Sequence, residues 1–173
     1  MRYLEVRRHT MRVKPSKHVC KAGVVLARRV GNSMGPFDRV VTSDVARAFE
    51  SAIAFGFAVD EQLSELAEYD QDINEEVDRD ADFSALARAV RKGGAAARLA
   101  HRQTRLWQSI AASVPDNGRT LVVSHGGIIE LGAIGCLPDA DHASWGAALD
   151  YCEGVRLNFD GQEFVAIEML RNV

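Results

Sequence analysis

No stretch of this chain comes near the roughly 18 uninterrupted apolar residues of a membrane-spanning helix. Its opening, MRYLEVRRH, is also too polar for the apolar segment of a signal peptide. The three cysteines, Cys20, Cys136 and Cys152, are odd in number, widely spaced and without a CxxC pair. That argues against a zinc ribbon and against a disulfide framework, and fits reduced thiols. Positive charge is not in excess: 21 Lys and Arg face 24 Asp and Glu, a net −3 with histidine neutral. A general nucleic-acid binder or a membrane-surface binder is thereby excluded, and any anion recognition has to come from a local cluster. Internal repeats, low-complexity tracts and linkers are absent too. These absences describe a cytoplasmic protein with neither a nucleic-acid nor a membrane partner.

What is present is the composition of an ordinary globular domain. The 173 residues are 47% apolar and 26% charged, enough for one domain with a substantial core. Residues 2–8 read as a strand through Tyr3, Leu4 and Val6. Cys20–Val30 reads as a helix stopped by Gly31, and Phe37–Thr42 as a second strand. SDVARAFESAIAFG follows as a helix, with Ser43 as its N-cap and Gly56 as its terminator. The stretch from about 60 to 95 is acidic and carries no strong strand signal. Ala95–Val114 is a long helix closed by the turn Pro115-Asp116-Asn117-Gly118. Thr120–Ser124 (TLVVS) is the strongest strand and runs through His125-Gly126-Gly127 into a helix, IIELGAIGCL. The tail is a hairpin around Asp160-Gly161. This alternation predicts an α/β three-layer sandwich, its mostly parallel central sheet flanked by helices. Residues 1–173 form a single domain in this reading, with residues about 60–105 forming a helical cap over the site.

In such sheets ligands bind beyond the carboxyl ends of the strands. The first strand ends in Arg8-His9, the second leads into a helix carrying Arg47, and the third ends in His125-Gly126-Gly127. Right-handed crossovers place those ends on one edge. Two guanidiniums, two imidazoles and a glycine-rich helix start describe a site for a small dianion, because guanidinium forks bind phosphate oxygens in bidentate fashion. Arg7 and Arg8 alternate across the strand, so only one of them faces that edge. Taken singly, each feature has a plainer reading as solvated charge or a tight turn; the weight lies in their equivalent topological positions.

In these residues the chain resembles the histidine phosphatase superfamily, the phosphoglycerate mutase-like proteins. LEVRRHT resembles the family's strand ending in Arg-His-Gly, TSDVARAFESA its Ser-x-x-x-Arg segment, and VVSHGGII its second histidine motif. HVCKAGVVLARRVG resembles the helix that follows the first motif in shorter members. The resemblance implies a phosphohydrolase that needs neither metal nor cofactor, acting on a small phosphorylated molecule or a phosphoprotein. His9 would be the nucleophile that becomes a phosphohistidine. Arg8, Thr10, Arg47 and Gly126 would hold the phosphoryl group, and His125 would assist in catalysis. The family's proton donor, from a Leu-x-Glu segment, maps to Glu65 in QLSELAEYD, with Glu68 as the alternative.

Neutral imidazole is the reactive form of His9, and the neighbouring arginines should favour it. Two departures from the family pattern stand out. Thr10 occupies the place of the usual glycine, and the loop MRVKPSKH lacks the Trp-Asn pair of mutase-type members, which argues against a glycolytic mutase. Two rival expectations follow: a phosphohistidine protein phosphatase, and a non-catalytic phosphate-binding or regulatory domain. Arg12, Lys14, Lys17 and His18 make the loop basic, as expected of a solubilising surface or of a steering element for anions.

Overall fold

Residues Met1–Val173 are all described by the computed structural model of the chain. β1 (Arg2–Arg8) forms where buried Leu4 and Val6 alternate with Glu5 and Arg7, the period-two pattern of a strand covered on both faces. It pairs in parallel with β4 (Arg119–Ser124), which pairs in parallel with β2 (Arg39–Thr42), which pairs in parallel with the two-residue β3 (Glu61–Gln62). On the other side of β1 the tail hairpin, β5 (Gly154–Phe159) and β6 (Phe164–Leu170), adds two antiparallel strands. The result is a mixed six-stranded sheet of order β3-β2-β4-β1-β5-β6. Its parallel section is the part the strand–helix alternation predicts.

The two faces are covered unequally. α1 (Lys21–Gly31) and α2 (Ala46–Phe55) lie on one face, where Ala27, Ala48, Ala52 and Phe55 meet Val40, Leu121 and Val123. The other face carries α3 (Ile73–Glu76), α4 (Phe83–Arg91), α5 (Ala95–Ala112) and α6 (Ile128–Cys136). There a cluster of 29 buried residues joins Leu4, Val6 and Val122 of the sheet to Phe83, Leu86, Leu99, Trp107 and Ile129 of the helices. Each large side chain buried there contributes about 1.5–3 kcal/mol relative to exposure. This is the main stabilising core.

The segment expected as a cap departs from expectation here. α4 and α5 are bound into this core through Phe83, Leu86, Leu99 and Trp107 rather than standing over the strand ends. The 3₁₀ turn Ser64–Ala67 and the chain between it and α4 reach that edge, through Ala67, Tyr69, Arg79 and Asp80. The acidic composition of 60–95 concealed the apolar stripe of α4, whose Phe83, Leu86, Ala87 and Ala89 are buried. No helix is long and apolar enough to cross a membrane.

Candidate active site

Register brings three strand ends level. Arg8 of β1 stands opposite Ser124 of β4, and Thr42 of β2 opposite Val123. The next residues continue the ladder: the His9 amide donates to the Ser124 carbonyl at 3.0 Å, and the Ser43 amide to the Val123 carbonyl at 3.1 Å. His9, Ser43 and His125 therefore emerge side by side at the carboxyl edge. The two imidazoles lie with ring centroids 5.2 Å apart.

The state of His9 follows from its partners. Its Nδ1 lies 2.7 Å from the Thr10 carbonyl, an acceptor, so Nδ1 carries the hydrogen. Its Nε2 accepts from Arg47 Nε at 3.1 Å, which requires a lone pair there. Burial, with Arg47 and Arg8 adding repulsion, holds the pKa down at about 3 against the opposing pull of the Thr10 hydrogen bond. His9 is thus a neutral imidazole with its Nε2 lone pair turned towards the cations.

His125 is fixed in the same manner. The Ser43 hydroxyl lies 2.7 Å from His125 Nε2, and the same oxygen accepts from the Val45 amide at 3.3 Å. The Nδ1 of His125 is buried and has no partner in the protein. Burial first, then His9 and the arginines, push the pKa of His125 to about 2. Ser43 is consequently no N-cap. The cap position of α2 is Val45, and Ser43 is buried against the second histidine.

Around these rings lies a cleft of about 180 Å³ lined by Arg8, His9, Arg12, Lys14, Arg47, Arg79, Asp80, His125, Gly126 and Tyr151. It is smaller than the roughly 300–1,000 Å³ of sites for drug-sized ligands. Its guanidiniums are all held by uncharged groups. Arg8 donates to the Leu149 carbonyl at 2.6 Å and stacks on Tyr151 at 4.6 Å, while Arg12 donates to the Ser16 carbonyl at 2.9 Å. Arg79 donates twice to the Gly126 carbonyl, at 2.9 and 2.7 Å, and stacks on Tyr69 at 4.4 Å. None of these side chains, nor Arg47 or Lys14, has a carboxylate within salt-bridge distance. Burial and crowding by Arg12 and Arg79 lower the pKa of Arg47. Arg8 Nε, like His125 Nδ1, is buried with no protein partner.

The frame beneath is built from buried polar groups. Glu130, 1% exposed, accepts from the Gly127 amide at 2.6 Å and the Leu149 amide at 2.9 Å, fixing the strand-to-helix turn and the residue that holds Arg8. Burial raises its pKa, and those two amides oppose the rise. The absence of a side chain at Gly126 lets Arg8 in, since a Cβ there would sit 3.1 Å from the guanidinium carbon. Ser51 of α2 accepts from the Thr10 amide at 2.9 Å and donates to the Arg47 carbonyl at 2.6 Å, linking the nucleophile strand to the arginine helix.

Several predicted site residues fall elsewhere. Thr10 is fully buried and its hydroxyl donates to the Gly23 carbonyl at 2.7 Å, so it faces α1 and not the cleft. Its part in the site is the carbonyl that fixes His9. Glu65 is exposed and lines no part of the cleft. The turn bearing it is pinned by buried Leu66, by Ser124 Oγ donating to the Leu66 carbonyl and by Gln103 donating to the Glu65 carbonyl, which leaves the carboxylate outside. Glu68 is exposed and outside as well. The carboxylate that does line the cleft is Asp80, at its exposed rim.

Arg79, Asp80, Tyr151, Ser43 and Ser51 all escape motif reading. Arg79 and Asp80 sit in EEVDRDAD, where alternating charges without periodicity carry no positional signal. A somewhat larger cavity, about 280 Å³, lies elsewhere beside Arg7, Arg29 and Arg171. It is lined by no histidine or cysteine, and its Arg7 and Arg171 are paired with Glu5 and Glu153.

Comparison with known proteins identifies the family and the fold. The model of the histidine phosphatase superfamily (branch 1) matches residues 20–171, a span that begins after the Arg8-His9 strand end. No curated protein matches the chain. The fold is similar to that of phosphoserine phosphatase from Entamoeba histolytica, solved with 3-phosphoglyceric acid: TM-score 0.72, 14% identity, 99% of this chain and 98% of that one covered. It is also similar to a mycobacterial glucosyl-3-phosphoglycerate phosphatase, with TM-score 0.66, 15% identity and 100% of both chains covered. Phosphoglycerate mutase from Bacillus anthracis gives a TM-score of 0.68 at 15% identity, covering 97% of this chain and 92% of that one.

Proposed function

We propose that this chain, which belongs to the histidine phosphatase superfamily (branch 1), is a phosphohydrolase that works through a phosphohistidine at His9. The observation that carries the reading is a neutral imidazole with its Nε2 lone pair aimed into a group of cations that lack carboxylate partners. A phosphate dianion supplies the missing negative charge. Arg8, Arg47 and Arg79 would hold its oxygens, Arg8 Nε–H is a donor that no protein group uses, and His125 Nδ1 is likewise without a protein partner.

In the first step the His9 lone pair forms a bond to phosphorus and the bond to the leaving oxygen breaks, its electron pair departing with that oxygen. In the second, water attacks phosphorus, the N–P bond breaks and the pair returns to Nε2, releasing orthophosphate. Charge spreads over the equatorial oxygens between the fixed guanidiniums and His125, so positioning and electrostatics supply most of the catalysis. An alkyl leaving group requires a proton, and the one carboxylate that lines the cleft, Asp80, stands at its exposed rim.

The neighbours' named substrates, phosphoserine and glucosyl-3-phosphoglycerate, support a small phosphorylated molecule as the substrate class. A cytoplasmic setting accords with three unpaired cysteines. One of the two motives for a non-catalytic domain, a Thr10 side chain crowding the phosphate, is countered by the bond from Thr10 to Gly23; the other, the uncertain proton donor, stands with Glu65 and Glu68 outside the cleft. Turnover of an aryl phosphate tests the proposal. The His9→Ala variant, folded by circular dichroism, is expected to lose at least about 10³-fold in kcat, and near-wild-type turnover by it contradicts the mechanism.

A further inference from the structure

The cleft holds more positive charge than one phosphoryl group calls for. Arg8, Arg12, Lys14, Arg47 and Arg79 face a single carboxylate, Asp80, and both histidines are neutral, which leaves four uncompensated positive charges. The phosphoryl group of a monoester brings at most about two negative charges. Two of the cations, Arg12 and Lys14, stand on the loop that follows the nucleophile and line the same cleft as Arg8, Arg47 and Arg79. That loop is held in place. The Cys20 amide donates to the Met11 carbonyl at 3.0 Å and Arg12 donates to the Ser16 carbonyl at 2.9 Å. Glu50 of α2 accepts from the Val19 amide at 2.8 Å and lies 2.5 Å from His18 Nδ1.

A second observation concerns the leaving group. Proton donation to a departing alkoxide is commonly the task of a carboxylic acid fixed beside the scissile oxygen, with its pKa tuned to it. No carboxylate is buried in this cleft. Glu65 and Glu68 point elsewhere, and Asp80 is exposed at the rim, its own amide turned to Asp78 at 2.9 Å. A leaving group that departs as a stable anion needs no such acid. A phosphate leaving group, with a second pKa of about 6, is one.

Surplus cations in the cleft and the lack of a buried acid converge on one substrate class. Building on the phosphohistidine mechanism above, we infer that the preferred substrates are phosphoanhydrides: small molecules ending in a diphosphate, cleaved at the terminal phosphorus. His9 Nε2 bonds to that phosphorus as the bridging P–O bond breaks. The electron pair stays on the bridging oxygen, and the leaving phosphate departs unprotonated against Arg12 and Lys14. Water then releases orthophosphate from His9 as before.

The test compares kcat/KM for inorganic pyrophosphate and a nucleoside diphosphate with that for 3-phosphoglycerate, an alkyl ester with a second anionic group, and for an aryl phosphate. At least tenfold preference for the anhydrides over 3-phosphoglycerate is expected. The Arg12→Ala/Lys14→Ala double variant should cut anhydride turnover at least tenfold more than aryl phosphate turnover. Asp80→Asn should affect 3-phosphoglycerate more than the anhydrides. Turnover of the aryl phosphate through phospho-His9 with no anhydride preference overturns this inference and leaves the phosphohistidine mechanism standing. Preference for 3-phosphoglycerate shows that the second anionic subsite serves a carboxylate and overturns it too. Absence of any turnover and of any phosphoenzyme overturns both readings.

Discussion

Arg7 and Arg8 are neighbours on one strand, yet they belong to opposite electrostatic regions. Arg7 turns to the α1/α2 face and pairs with Glu5 at 2.8 Å; Glu5 in turn pairs with Arg156 at 3.1 Å, and Arg156 with Glu168 at 2.6 Å. That region of β1, β5 and β6 balances two guanidiniums with two carboxylates. Arg8 turns to the strand-end cleft, where the cations meet carbonyls, aromatic rings and an imidazole but no carboxylate partner. The contrast teaches where to look for an anion. Buried charge is costly unless paired, so a folded chain that completes its pairs in one place and leaves them open in another has marked the open place for a ligand.

The comparison can be broken from either side. In the open region, Arg8→Ala or Arg47→Ala should lower kcat/KM for a phosphoryl substrate about 10²–10³-fold, the scale of losing one preorganised charge-stabilising donor. Steady-state kinetics with a folding check would show it. In the closed region, Glu5→Gln should cost about 3 kcal/mol of stability, since it strands Arg7 and Arg156 without their shared carboxylate. Urea unfolding measures that, and kcat should move far less than in the arginine variants.

Acidification sharpens the contrast next. The folded pKa values of His9 and His125, about 3 and 2, lie below the unfolded value of 6.5. The unfolded chain therefore binds more protons as pH falls through 6.5, and stability declines from there towards pH 3. The decline is up to about 2 kcal/mol per histidine between pH 7.5 and pH 5. Unfolding at the two pH values should show a smaller decline in His125→Gln than in the wild type. The smallest effect is expected of Glu65→Gln. Its carboxylate lies outside the cleft, so kcat/KM should stay within about twofold of wild type on any leaving group.

Much of this arrangement could be read from the chain before any coordinates. Apolar alternation in LEV and VVT, the run TLVVS and the glycines after His125 define strands whose ends must lie together, and those ends carry Arg8, His9 and His125. Arg47 followed from its place in the first turn of a helix after a strand. What stayed hidden depends on contacts that no local pattern encodes. Ser43 has the chemistry of an N-cap and serves instead as the partner of His125, because β2 carries it level with that ring. Thr10, where glycine was the family expectation, is accommodated by rotation towards Gly23 and Ser51. Glu65 matched a motif in register, but the fold turns the side chain of its buried neighbour Leu66 inward and so turns Glu65 out. Arg79 and Asp80 reach the site on irregular chain, where neither period nor capping speaks.

Trapping the intermediate tests the central claim most directly. The protein is mixed with an aryl phosphate labelled with ³²P, quenched within the first turnovers and mapped by peptide analysis. The account predicts acid-labile, base-stable phosphate on the peptide carrying His9, absent from His9→Ala. Label on another residue, or full turnover by His9→Ala, would contradict it.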